Sequence, residues 1–203
     1  APEDFEYAFD PHAKIFEPIQ ALQLANALAP YDPYFYEEPL RPEHMPAWSK
    51  LRQQMQVPLA TGESLYARFE FLNLMTNQGC DIIQPDICVC GGLLEMRKIN
   101  AIAEAHYVSI APHNPMGPIA TAVNLHFCAS APNFKILEYL LPDETGWRHW
   151  VSDPYLPADG YLELRPDRPG LGIEIDEQAL TDGEYIHWER SSPTRPDGST
   201  GYI

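Results

Sequence analysis

Six short stretches rich in apolar and aromatic residues recur through the first 140 positions, and each carries an ionisable residue at or near its end. The six are Asp10, Glu37, Glu63, Asp86, His113 and Glu138, separated by 27, 26, 23, 27 and 25 residues. A period of that length fits one strand plus one helix, so the chain reads as successive βα units on a parallel sheet. The predicted strands span 5–10, 34–40, 58–64, 81–87, 108–114 and 135–140, with helical patterns between them at 18–28, 43–55, 67–77, 92–106 and 118–131. In the fourth of these, Leu93, Leu94, Met96, Ile99, Ala101, Ile102 and Ala105 make an apolar stripe, while Arg97, Lys98, Asn100 and Glu104 fall on the other side. That pattern predicts a helix laid over a sheet.

Residues 1–140 form the body of βα units. Past about 141 the character changes: 155–164 and 166–175 read as turn-separated short strands, and 141–190 is expected to be an appendage packed back on the body. Residues 191–203, with Pro, Gly, Ser and Thr, read as a loosely held tail. The chain has 13 Lys and Arg against 29 Asp and Glu, a formal charge of −16, which repels phosphate backbones and disfavours nucleic acid as a partner. A divalent cation suits that balance better. No apolar run approaches the roughly 18 to 20 residues of a membrane span, and the first six residues carry three acids instead of a basic leader. Cys80, Cys88, Cys90 and Cys128 sit in apolar stretches without CxxC spacing, so they are expected to be buried, reduced thiols of a cytoplasmic protein.

If the strands are parallel and barrel-like, the βα loops open on one face and the six ionisable groups meet there. Asp10, Glu37 and Glu63 end three successive strands and offer the hard carboxylate oxygens that Mg²⁺ prefers. Glu37 and Glu38 point to opposite sides of their strand; the first is assigned to the metal and the second to a supporting carboxylate. Asp86 and His113 end neighbouring strands, and an imidazole oriented by a carboxylate is a proton abstractor with a fixed tautomer. The turn-rich segment Ala111-Pro-His-Asn-Pro-Met-Gly-Pro118 would hold that imidazole on a stiff loop.

Five motifs in order, Phe35-Tyr-Glu-Glu-Pro39, Ala60-Thr-Gly-Glu-Ser64, Ile83-Gln-Pro-Asp86 with Gly91-Gly92, Pro112-His-Asn-Pro-Met-Gly-Pro118 and Pro169-Gly-Leu-Gly172, resemble the mandelate racemase branch of the enolase superfamily. Within it, the chain is most similar to the D-galactonate dehydratases. The resemblance implies the third to eighth strands of a (β/α)7β barrel, with Mg²⁺ on Asp10, Glu37 and Glu63 and the Asp86–His113 dyad as base. It further implies that Glu138 hydrogen-bonds the substrate carboxylate or enolate. Asp10-Pro-His12 matches an Asp-x-His whose histidine is the general acid on the leaving hydroxyl, while Lys14 stands where that family carries arginine. An extended path through Pro11 would set Asp10 and His12 on the same side. Family members carry an N-terminal capping domain and two earlier barrel strands, so the chain is expected to be a fragment of a larger homo-oligomeric protein. The expected reaction is dehydration of a sugar acid to a 2-keto-3-deoxy acid through an enediolate. Alternatives are another sugar-acid dehydratase, an epimerase or racemase, or a noncatalytic fragment or sugar-acid binder on the same scaffold.

Overall fold

The computed structural model of the chain describes residues 5–140, 150–182, 187 and 194–199. Its elements are β1 (Ala8–Phe9), α1 (Pro18–Leu28), β2 (Phe35–Glu37), α2 (Met45–Gln54), β3 (Leu59–Thr61), α3 (Arg68–Thr76), β4 (Ile82–Ile83), α4 (Leu93–Ala105), β5 (Ser109–Ile110), α5 (Pro118–Cys128) and α6 (Glu177–Asp182). The strands form one parallel sheet in the order β1-β2-β3-β4-β5, with Ala8 opposite Phe35, Tyr36 opposite Leu59, Ala60 opposite Ile82 and Ile83 opposite Ile110. Each strand pairs with the next in sequence across a helix, which is the order of a barrel arc, without the reversal of a doubly wound sheet. The fold is therefore a part of a (β/α) barrel.

The ladders are two or three residues long, shorter than the six or seven predicted. Proline explains much of this, because it has no N–H to give to a ladder. Pro11, Pro39, Pro85 and Pro112 stand just beyond β1, β2, β4 and β5. The sixth predicted strand, 135–140, is reduced to a parallel bridge between Ile110 and Phe134, extended by Lys135 N–H donating to the Ile110 carbonyl at 2.9 Å. Phe134 and Ile136 stay 40% and 46% exposed, so little burial stabilises further pairing there.

Side chains alternate along the strands as the pleat requires. Tyr36, Leu59, Ile83 and Ile110 face the helices and are fully buried, whereas Phe35, Ala60, Ile82 and Ala111 form a thin layer on the inner face. The outer cores are two: Ala21, Ala25, Trp48 and Leu51 over β2 and β3, and Phe71, Leu74, Met96, Ile99 and Phe127 over β4 and β5. On α4 the buried stripe is Met96, Ile99, Asn100 and Ala103, a helical i, i+3, i+4, i+7 set that takes in Asn100 and leaves Leu93 and Leu94 exposed. The expected stripe is thus displaced by part of a turn. Among the cysteines, Cys80, Cys90 and Cys128 are buried, but Cys88 is exposed, because it lies in the turn after Asp86 and not in the sheet.

Behind the body, Tyr155 packs on Ala122 and Leu125 of α5 together with Leu162, Leu171 and Ile173. Its hydroxyl donates to the Leu171 carbonyl at 3.1 Å. The stretches 155–164 and 166–175 make only isolated bridges, Ala158 with Tyr161 and Val151 with Ile175, since Pro154, Pro157, Pro166 and Pro169 withdraw donors from any ladder. Residues 141–149, where the appendage was expected to begin, and most of the tail from 191 lie outside the described residues. Among the described residues no helix is long and apolar enough to cross a membrane.

Candidate active site

Parallel strands deliver their C-terminal ends to one side, and the predicted ionisable residues gather there. Asp10 follows β1, Glu37 ends β2, Glu63 lies two residues past β3, and Asp86 and His113 each lie three past β4 and β5. A cleft of about 640 Å³ is lined by Asp10, His12, Glu37, Glu63, His113 and Glu138. Asp86 does not line it; it is buried behind His113.

The histidine and aspartate are coupled. Nδ1 of His113 is 2.8 Å from Oδ2 of Asp86, whose Oδ1 accepts the Cys88 and Val89 backbone N–H groups at 2.7 and 3.2 Å. A carboxylate held by two backbone donors is an acceptor, so Nδ1 carries the proton and Nε2 turns its lone pair to the cleft. There Nε2 is 3.5 Å from Glu63 Oε2 and 4.0 Å from Glu138 Oε2. Burial pulls the imidazole towards neutrality, but the Asp86 hydrogen bond and the charges of Glu63 and Glu138 outweigh it and raise the His113 pKa.

Glu138 is placed from beneath. Its Oε2 accepts the Asn114 backbone N–H at 2.7 Å, and Asn114 Nδ2 donates to the Glu138 carbonyl at 2.9 Å and to Thr121 Oγ1 at 3.0 Å. Asn124 on α5 donates in turn to Asn114 Oδ1 at 3.0 Å, and both asparagines are buried. Sequence reasoning passed over this pair. The available signal was an asparagine amid the apolar residues of α5, where a polar group persists only with partners.

On the other side of the cleft, Asp10, His12 and Glu63 bring ligand atoms within 4.8 Å of one another. His12 Nδ1 is 3.5 Å from Asp10 Oδ2 and 3.3 Å from Glu63 Oε1. The proximity of His12 does not come from an extended strand. Backbone φ is 54° at His12 and 55° at Ala13, and Asp10 Oδ1 accepts the His12 N–H at 2.6 Å, so a tight Asx turn folds the imidazole back. Glu37 is not within that close cluster; its carboxyl lies beside Gln84 and Glu63 instead. Burial pushes Glu37 up to about 8 and Glu63 up to about 7, with neighbouring carboxylates adding to both shifts. Crowded half-buried acids that hold protons near neutrality, in a cleft with no Lys or Arg among its lining residues, form a donor set suited to a hard divalent cation. Glu38, beside Glu37, turns away into the protein, where its carboxylate accepts from Thr61 Oγ1 at 2.8 Å, from Gly62 N–H at 3.2 Å and from the Ser64 hydroxyl.

Several known proteins share this frame. A D-galactonate dehydratase of Ralstonia nicotianae is 37% identical over 198 residues, which cover 93% of this chain and 49% of that protein. An enolase of Agrobacterium radiobacter, provisionally assigned as a galactarate dehydratase and solved with sodium and L-malate, is 59% identical with a TM-score of 0.93, over 98% of this chain and 54% of that one. A mandelate racemase/muconate lactonizing enzyme of Jannaschia sp. CCS1 is 33% identical with a TM-score of 0.82, over 91% of this chain and 46% of that one. The chain thus spans about half the length of the relatives it matches. Residues 1–179 match the enolase C-terminal domain-like family, so the parallel strands with acids at their ends and the His–Asp pair behind them belong to a member of that family within the enolase superfamily.

Proposed function

We propose that this chain carries the acid–base side of a Mg²⁺-dependent active site that dehydrates a galactonate-type sugar acid to a 2-keto-3-deoxy acid. The observation that carries it is the Asp86–His113 relay, whose Nε2 faces a cleft of carboxylates. Relatives named as D-galactonate dehydratases point to the substrate class.

A C–H beside a carboxylate is a very weak acid, and its removal needs a base within hydrogen-bond reach and positive charge where the enediolate develops. His113 Nε2 takes that proton, and Asp86 holds the ring in the accepting tautomer and stabilises the imidazolium. Asp10, Glu37 and Glu63 would hold Mg²⁺, which when bound supplies that positive charge and cancels the field of the acids. Glu138, fixed by Asn114, is placed to hydrogen-bond a substrate oxygen. His12 gives its proton to the 3-hydroxyl as it leaves, and the enol product tautomerises to the keto acid. The protein would work as a cytoplasmic homo-oligomer on a small-molecule substrate.

The test uses the complete translation product with D-galactonate and Mg²⁺ in deuterated water, following keto-acid formation and deuterium at C2 of recovered substrate. His113→Asn should abolish both. His12→Asn should abolish product while C2 exchange continues, because the two proton transfers use different groups. Undiminished exchange in His113→Asn would remove it as the base, and undiminished product in His12→Asn would remove it as the acid.

A further inference from the structure

Gln84 directly follows β4, is 5% exposed, and stands behind the cleft, not among its lining residues. Ile82, two positions earlier, belongs to the inner layer of the sheet, so the alternation of the pleat turns Gln84 inward as well. Its backbone is fixed by β3: the Gln84 N–H donates to the Thr61 carbonyl at 2.9 Å, and a Cβ on Gly62 would sit 3.0 Å from the Gln84 nitrogen. Between β4 and β2 the chain places only Ala60 and, just past the end of β3, Gly62, which leaves room for a long side chain to cross. The Gln84 side chain accordingly lies beside the Glu37 carboxyl, two strands away.

Gln84 Oε1 is buried without a hydrogen-bond partner among the described residues. A buried carbonyl oxygen with no donor is unfavourable, and methionine, of nearly the same length, would fill the space without one. Such a group persists where function outweighs stability. A carboxylate only accepts, so the end of the amide that serves Glu37 is the NH₂ group. Lysine or arginine would donate there too, but its charge would compete with a cation for the same oxygens, whereas an amide supports the carboxylate and leaves its charge free. Resting on the Mg²⁺ reading above, we infer that Gln84 is a positioning residue, whose amide holds the Glu37 carboxylate ready for the cation from behind the cleft.

The experiment uses the complete translation product and its Gln84→Met variant, with Mg²⁺ alone titrated by calorimetry and the urea midpoint measured in metal-free buffer. Gln84→Met should weaken Mg²⁺ binding by about 10- to 100-fold, the range for losing a partner of a metal ligand. Its metal-free midpoint should equal or exceed that of the parent, because the unpaired carbonyl is gone. Unchanged Mg²⁺ affinity overturns the assignment. So does a lower midpoint, which would make Gln84 a residue that only supports packing. Keto-acid formation from D-galactonate by the parent, with equal Mg²⁺ affinity in the variant, leaves the dehydratase reading standing and removes this one. Gln84-dependent Mg²⁺ binding without turnover does the reverse, and a parent that binds no Mg²⁺ removes both.

Discussion

Glu63 is the residue on which the candidate site turns. One carboxyl group faces His12 at 3.3 Å through Oε1 and His113 at 3.5 Å through Oε2, so the proposed metal side and the proposed base side of the cleft meet on it. Replacing it as Glu63→Gln is expected to weaken Mg²⁺ binding by at least about 10-fold in a calorimetric titration; unchanged affinity would take Glu63 out of the ligand set. Protons compete for the same oxygens. Glu37 and Glu63 are raised from 4.5 to about 8 and about 7, so the folded protein keeps protons that the unfolded chain has already lost. The folded state binds more protons, and its stability therefore falls as pH rises from about 4.5 through about 8. In metal-free buffer Glu37→Gln should flatten the decline of Tm between about pH 5 and pH 8, the interval set by ordinary and raised carboxyl values. A decline as steep as that of the parent would mean that Glu37 does not hold that proton. At this scale the residue types and their spacing were legible in the sequence, since Asp10, Glu37, Glu63, His113 and Glu138 all reach one cleft. Which acids touch was not, because Asp10 and His12 meet through a turn with positive φ that no alternation of strand residues reveals.

The elements explain why those side chains are held so closely. Gly62 leaves β3 with φ at 143°, and a Cβ there would sit 2.9 Å from Phe71 Cε1 and 3.0 Å from the Gln84 backbone nitrogen. Gly62→Ala should therefore destabilise the protein by about 1–3 kcal/mol, seen as a lower urea midpoint with an unchanged m-value; a midpoint equal to that of the parent would show that the loop has room to shift. On the far side α5 reaches the site through Asn124. Removing its amide in Asn124→Ala leaves Asn114 Oδ1 buried without a donor and should cost about 1–3 kcal/mol of stability. Because Asn114 also carries Glu138, the same variant should lower kcat more than it raises KM, and Asn124→Gln is not expected to rescue it in the space given to asparagine. Equal stability in Asn124→Ala would mean that water replaces the amide. Helix positions were readable from periodicity, with α1 found at its expected bounds Pro18–Leu28, but the buried face of α4 was not, because Asn100 counts as polar in a pattern and as core in the packed helix.

Across the whole molecule, the charge of −16 sets a general repulsion on top of the local crowding of acids. Raising ionic strength from about 10 mM to about 150 mM shortens the screening length from about 30 Å to about 8 Å. Tm should rise accordingly, and to the same extent with sodium chloride and choline chloride if general screening is the cause; a fall, or a rise confined to sodium, would point to specific ion binding instead. The sequence by itself determined the class of fold, because a strand–helix period repeated five times leaves a parallel sheet with its strand ends on one side as the way to bury the apolar runs. It also determined the chemistry available, since residue types at those ends are read directly. Only the tertiary structure decided the rest: that prolines cut the ladders to two or three residues, that Glu38 turns inward while Glu37 faces the cleft, and that a buried asparagine pair supports Glu138. Those are contacts between residues far apart in the chain, and their energies depend on distances and burial that spacing along a sequence does not contain.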